Sequence, residues 1–245
     1  MSLLHNFLLF GITFIAGILS LRFTISEKSI NVLLAFSGSF LLSITLLHLL
    51  PETFEETGAH AGFYILCGFF LQLLIQRLTH GVEHGHIHAQ PTDHHAHSHA
   101  VHFQSIFLGL GVHAFMEGLP LGFHYREMAT EPSLYMAVAA HKLPEVILLG
   151  TLASTVKSKK EALISIFIFS LFTPLGSVAA SLLGRKYYMV SKLVAILIPI
   201  VAGVFIHIST TIFFESGTKH HLLTRNKFIA IMCGVALGLL TLLLE

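Results

Sequence analysis

Eight apolar runs, each close to the length of a membrane-crossing helix, limit what this sequence can fold into. They cover residues 3–22, 30–50, 61–78, 103–124, 133–156, 161–183, 191–213 and 228–245. A helix needs about 20 mostly apolar residues to cross the hydrocarbon core of a bilayer, where every backbone polar group must be satisfied within the protein. The sequence therefore predicts an all-α integral membrane protein with eight transmembrane helices. Because the runs use most of the chain, we expect residues 1–245 to form a single transmembrane domain.

The composition excludes other classes of protein. Hydrophobic residues make up 54% of the chain and charged residues only 11%, whereas a soluble domain has roughly 25% charged residues. Fourteen Lys and Arg residues against thirteen Asp and Glu residues leave a net charge of +1. Such a balanced charge offers no basic surface for nucleic acid. The apolar composition instead makes membrane lipid the expected partner around the protein.

The distribution of positive residues predicts the orientation in the membrane. An even number of spans places both termini on one side. Nine Lys and Arg residues lie in the loops after the odd-numbered spans, and four lie in the opposite loops. Since positive residues collect on the cytoplasmic side, we expect both termini to be extracytoplasmic, in a plasma (inner) membrane.

The loop between the third and fourth runs, residues 79–102, is rich in histidine; we call it the His-rich loop. Nine of the eighteen histidines of the chain lie in it. Imidazole suits zinc, copper and nickel, and a tract of this composition can bind such an ion without a fixed site. The loop is predicted to be cytoplasmic. Two interpretations stay open: it collects or senses metal, or it is a solvated linker.

Two consecutive runs each carry a His-x-x-x-Glu pattern: His113 with Glu117 in the fourth, and His141 with Glu145 in the fifth. A spacing of four places both side chains on one face of a helix. If the two helices face each other, two imidazoles and two carboxylates meet inside the membrane. Such a ligand set fits Zn²⁺ and can also hold Fe²⁺, Mn²⁺ or Cd²⁺. The alternative is a polar cluster that only stabilises the bundle.

Proline accompanies both patterns. Pro144 lies within the fifth run and Pro120 lies just past the pattern of the fourth, while Pro51 ends the second run. A proline inside a helix removes one backbone hydrogen bond, and the carbonyl group that it frees is tolerated where a helix lines a cavity or contacts protein. We therefore expect kinked helices around the ligands.

These residues resemble the fourth and fifth spans of the ZIP family of zinc and iron permeases. The likeness extends to the His-rich loop, to His48-Leu-Leu-Pro-Glu52 and to Thr173-Pro-Leu-Gly176. The resemblance implies uptake of a divalent cation into the cytoplasm. It also implies a 3+2+3 arrangement, in which two three-helix units related by an inverted repeat flank spans four and five. The sequence leaves the oligomeric state open, a homodimer included.

Two positions depart from the pattern of many family members, which bind two metal ions. Ala114 and Lys142 stand where the resemblance implies ligands of a second ion. The Lys142 ammonium can take the place of that ion and pair with Glu117 or Glu145; alternatively it extends towards the membrane surface or another helix. We therefore predict a single metal ion, bound by His113, Glu117, His141 and Glu145.

Residues on the entry and exit routes are harder to assign. His48 and Glu52 are four residues apart and can relay ions inward, unless Glu52 is simply a solvated charge at a helix end. His207 in the seventh run can help to release ions, unless it is a packed polar residue, and the same two interpretations apply to His124.

Two other functions remain as alternatives. An intramembrane metal hydrolase needs an open metal position and a general base, but His-Glu-x-x-His is absent and both carboxylates are assigned as ligands. A metal exporter can also use a His-rich loop, although exporters of the cation-diffusion type have Asp-rich spans, and Asp93, the only Asp, lies in the loop. We predict a transporter that is not an enzyme.

Overall fold

The computed structural model describes residues 3–23, 25–79, 103–123, 130–186, 188–215 and 224–244. No β-strand occurs in these ranges, which confirms the all-α class. The helices in chain order are α1 (Leu3–Ser20), α2 (Glu27–Ile44), α3 (Leu50–Thr57), α4 (Ala61–Thr79), α5 (Phe103–Gly118), α6 (Thr130–Val156), α7 (Lys159–Lys186), α8 (Tyr188–Glu215) and α9 (Arg225–Thr241).

The second apolar run does not end at Pro51, contrary to the sequence prediction. A π-helical turn, Thr45–Leu49, joins α2 to α3, and the backbone N–H of Leu50 donates to the carbonyl of Thr45 five residues earlier. This wider turn lets the helix continue past a proline that has no N–H to donate. Gly58 ends α3 with a φ of 56°, a conformation that glycine adopts without strain.

Five stretches of the described chain are long and apolar enough to cross a membrane. They are Leu3–Ser20, Glu27–Arg77, Phe103–Gly122, Thr130–Val156 and Lys159–Leu182. The second stretch contains the second predicted run and the third as far as Arg77, because the helical elements from α2 to α4 follow one another without a loop. Helix α8 contains a shorter apolar segment, Ile196–Ile212, and α9 has 17 residues. The number of spans therefore stays a prediction.

Glycine lets four pairs of helices pack closely: α1 with α6, α5 with α7, α2 with α9, and α4 with α8. Side chains added at Gly68 of α4 or Gly203 of α8 would collide with backbone carbonyl oxygens of the opposite helix. Gly118 and Gly176 have the same role between α5 and α7. Small residues at such contacts allow dispersion and weak polar interactions to hold helices together inside a membrane.

We expect Gly68→Ala to lower the stability of the protein by about 1–3 kcal/mol, because the new Cβ meets the carbonyl oxygen of Ile200 and the two helices must separate. Thermal unfolding of the detergent-solubilised protein measures the effect. Gly62→Ala is the matched control in the same helix, since no atom lies within 4 Å of the added carbon. Equal melting temperatures for the two variants would contradict this account of the α4–α8 contact.

Candidate metal centre

Helices α5 and α6 bring the four predicted ligands together. His113 and Glu117 lie one turn apart on α5, and His141 and Glu145 lie one turn apart on α6. All four side chains are completely buried. One ligand atom from each residue lies within 4.8 Å of the other three. We call this cluster the four-ligand site.

Three His–Glu distances inside the four-ligand site lie close to those of a tetrahedral cation site. Nε2 of His113 lies 3.2 Å from Oε1 of Glu117 and 3.7 Å from Oε1 of Glu145, and Nε2 of His141 lies 3.5 Å from Oε1 of Glu117. Four ligands at zinc distances of 2.0–2.2 Å are separated from one another by about 3.3–3.6 Å. The geometry is therefore compatible with a metal ion at the centre.

The same four atoms make no hydrogen bond, although all are buried. A buried polar atom without a partner costs about 1–3 kcal/mol, so four of them in one place need an explanation. A cation held by two imidazole nitrogens and two carboxylate oxygens satisfies them together.

Lys142 lies against the other side of both carboxylates. Its Nζ forms an ion pair with Oε2 of Glu117 at 2.6 Å, although the angles of this contact are not those of a hydrogen bond. The same Nζ donates a hydrogen bond to Oε2 of Glu145. The side chain is 1% exposed, so it does not extend to the membrane surface. Ala114, the other position that departs from the two-metal pattern, is buried in the apolar core and offers no ligand atom.

The two prolines act differently on their helices. Helix α6 continues through Pro144, and the kink expected there stays a prediction. Helix α5 instead ends at Gly118, two residues before Pro120, and a 3₁₀ turn, Leu119–Gly122, follows it. The expected kink at Pro120 is therefore a helix end, because a proline stabilises the start of a new turn more readily than the interior of a helix.

Sequence reasoning missed Gln72 on α4. Its side chain is completely buried, and its Oε1 lies 3.4 Å from Nδ1 of His113. An amide oxygen only accepts, so Nδ1 carries the hydrogen of the neutral imidazole and Nε2 offers its lone pair to the four-ligand site. One turn further along α4, Gln76 accepts from Nε2 of His207 at 2.9 Å. The available signal was two glutamines four residues apart in an apolar run.

The predicted entry and exit residues lie outside the four-ligand site. His48, on the π-helical turn, donates from Nε2 to Thr241 at 2.7 Å, since the Thr241 hydroxyl itself donates to a backbone carbonyl. Glu52 is 3% exposed, so it is not a solvated charge. His207 is also buried, with the ring of Phe69 packed edge-on at 4.7 Å.

The His-rich loop, except for Thr79 at the end of α4, and His124 lie outside the described residues. Their predicted roles in metal collection and ion passage stay predictions.

Taken together, a bundle of apolar helices around buried imidazole and carboxylate ligands defines a membrane protein with a candidate metal centre. The family model described as ZIP Zinc transporter matches residues 2–105 and 81–242. The chain therefore belongs to the ZIP family, whose members transport divalent metal, and the resemblance noted in the sequence is confirmed. A search of curated proteins finds no match.

We expect Gln72→Leu to weaken zinc binding at the four-ligand site about 10–100-fold, because the His113 ring loses the acceptor that orients it. Zinc titration of purified protein measures this, in a background where the nine histidines of the His-rich loop are replaced by Ser. Gln76→Leu is the matched control: it makes the same change one turn away, beside His207 instead of His113. Equal affinities for the two variants would show that Gln72 does not orient a ligand.

Proposed function

We propose that this protein carries a divalent cation, zinc first, into the cytoplasm through a single intramembrane site formed by His113, Glu117, His141 and Glu145. The observation that carries the proposal is the convergence of four buried ligand atoms that have no hydrogen-bond partner. Two nitrogen and two oxygen ligands suit Zn²⁺, and they also accept Fe²⁺, Mn²⁺ or Cd²⁺.

Charge favours a cation at this position but does not by itself select a divalent one. Ionisable groups in the middle of a span cost roughly 2.5–3.5 kcal/mol each on insertion scales, so they are retained where function requires them. Two carboxylates and one Lys leave a formal charge of −1 around the site. A divalent cation changes that charge to +1, whereas a monovalent cation would neutralise it, so selection for zinc over alkali metals must come from the nitrogen ligands and the tetrahedral spacing.

The helix packing supports the eight-span, 3+2+3 arrangement of the family. A repeat of two three-helix units would relate α1 to α7, α2 to α8, α4 to α9, and α5 to α6. Contacts between helices should then recur when each helix is replaced by its counterpart. The pair α1–α6 then becomes α7–α5, and the pair α4–α8 becomes α9–α2; all four pairs are in close contact. Any twofold repeat produces this pairing; the inverted one, with α5 and α6 between the two units, is the arrangement that the family resemblance implies. In this arrangement residues 1–245 form one transporter domain, with both termini outside.

Transport then requires the four-ligand site to open to each side in turn. The bound ion either moves with α5 and α6 or stays fixed while openings alternate around it. A negative-inside membrane potential supplies roughly 4.6 kcal/mol per 100 mV for a divalent cation, twice the value for a single charge. Downhill uptake therefore needs no further coupling.

Two alternatives to an importer were left open, an exporter and a hydrolase. The direction of transport distinguishes the exporter, and the site itself argues against the hydrolase. Glu117 and Glu145 both contribute to the ligand cluster and to the ion pairs with Lys142, so neither carboxylate of the four-ligand site is left to act as the general base that a hydrolase needs. Import is the direction that the resemblance to the family implies, and it remains the proposal.

We expect cells that express the protein to accumulate radioactive zinc, and Glu145→Ala to abolish that uptake, because the site loses one of its two anionic ligands. Uptake is measured at matched surface levels of the two proteins. The control is Glu131→Ala, which removes a carboxylate from the first turn of the same helix, α6, and should retain most of the uptake.

Zinc uptake that survives Glu145→Ala would mean that the cluster only stabilises the bundle. Uptake of iron or manganese without zinc would change the substrate and keep the site. Zinc efflux from preloaded cells that depends on Glu145 would replace import with export.

We expect one tight zinc ion per protein in the full-length chain with the nine loop histidines replaced by Ser, because Lys142 and Ala114 leave no ligands for a second ion. Equilibrium dialysis with elemental analysis gives the stoichiometry. Two tight ions, both lost on His113→Ala, would contradict the single-site proposal.

A further inference from the structure

The two oxygen atoms of each site carboxylate face different neighbours. The Oε1 atoms of Glu117 and Glu145 lie 3.2 Å and 3.7 Å from Nε2 of His113. The Oε2 atoms of both carboxylates contact the ammonium of Lys142. The metal position and the ammonium therefore lie on opposite sides of the same pair of carboxylates.

From this division we propose that Lys142 is a permanent second cation, which stays beside the carboxylates when the metal ion binds and weakens metal binding so that the ion can be released. This inference rests on the proposed function, because it takes the four-ligand site as the transport site. Lys142 is then a positioning residue that acts on the metal through Glu117 and Glu145.

Nothing in the geometry requires Lys142 to leave when the metal ion binds. The four ligand atoms make no hydrogen bond, and none of them belongs to the contacts of the ammonium. On its other side, Nζ lies 5.0 Å from the centre of the Phe169 ring on α7, at the distance of a cation–π interaction. The two carboxylates and this ring hold the ammonium in a position that is 1% exposed.

Lys142 has two opposite effects on metal affinity, and their sizes decide the net result. It holds the two carboxylates in place, and loss of such an orienting contact typically weakens metal binding about 10–100-fold. It also repels the metal ion. A unit charge and a divalent charge about 5 Å apart, at an effective dielectric constant of about 20, repel by the equivalent of roughly 10⁵-fold in affinity. Repulsion is the larger effect, so a neutral side chain should tighten binding.

The test compares Lys142→Gln and Lys142→Met, which remove the charge, with Lys142→Arg, which keeps it. All three are made in the full-length chain with the nine loop histidines replaced by Ser. Zinc binding is titrated in detergent, and zinc uptake is measured in proteoliposomes. We expect the neutral variants to bind zinc at least tenfold more tightly, equivalent to about 1.4 kcal/mol. Their KM should fall, and their maximal rate should fall as well, because release slows. Lys142→Arg should bind within about threefold of the parent.

A merely structural role for Lys142 predicts a different pattern. The neutral variants would then melt at a lower temperature and bind zinc as well as the parent or less tightly, which would overturn the proposal. If neither neutral variant can be purified, Lys142→Arg still tests the proposal. A change of tenfold or more in its zinc affinity would show that the charge alone does not set the affinity, and would overturn the proposal.

Glu145→Ala in the same background separates the two proposals. If it binds zinc as the parent does, the four-ligand site is wrong. If it loses zinc binding while the neutral Lys142 variants do not gain affinity, the transport site stands and only the inference about Lys142 fails.

Discussion

The ion pairs of Lys142 with Glu117 and Glu145 are the interactions on which the rest of this structure depends. All three side chains are almost completely buried. Buried charges are costly unless they are paired, and removal of one partner leaves an uncompensated charge in a medium of low dielectric constant. The ammonium compensates part of the carboxylate charge, so that two carboxylates can lie close together in the unloaded protein. The remaining negative charge faces the imidazoles, where the proposed cation binds.

Helix packing around this cluster serves to hold two helices in place. Helix α5 lies against α7 through Gly118 and Gly176, and α6 lies against α1 through Gly150 and Gly17. Each ligand-bearing helix therefore has a partner that approaches at backbone distance. Helix α7 also contributes Phe169 beside Lys142, and α4 contributes Gln72 beside His113. The surrounding helices thus supply the contacts that orient groups on α5 and α6.

Much of the fold could be predicted from the sequence. The apolar runs match the observed helices to within about four residues, apart from the second run and the end of the fourth, because backbone groups in a membrane require helix formation wherever the chain is apolar for long enough. The prediction failed locally at Pro51, where a π-helical turn carries the helix past the proline. It also failed at Pro120, where α5 has already ended. A proline restricts its own φ and removes one N–H, but the neighbouring turns decide whether the helix bends, ends or widens.

The sequence by itself determined which residues can meet along one helix. The spacing of four puts His113 above Glu117 and His141 above Glu145 in any α-helix, since helical geometry is local. Only the tertiary structure decided that the two pairs share one cluster. It also decided that Lys142 contacts the far oxygens of both carboxylates, and that Gln72 reaches His113 from forty-one residues away. These contacts depend on the relative position and rotation of separate helices, which side-chain packing sets and which no spacing within one helix encodes.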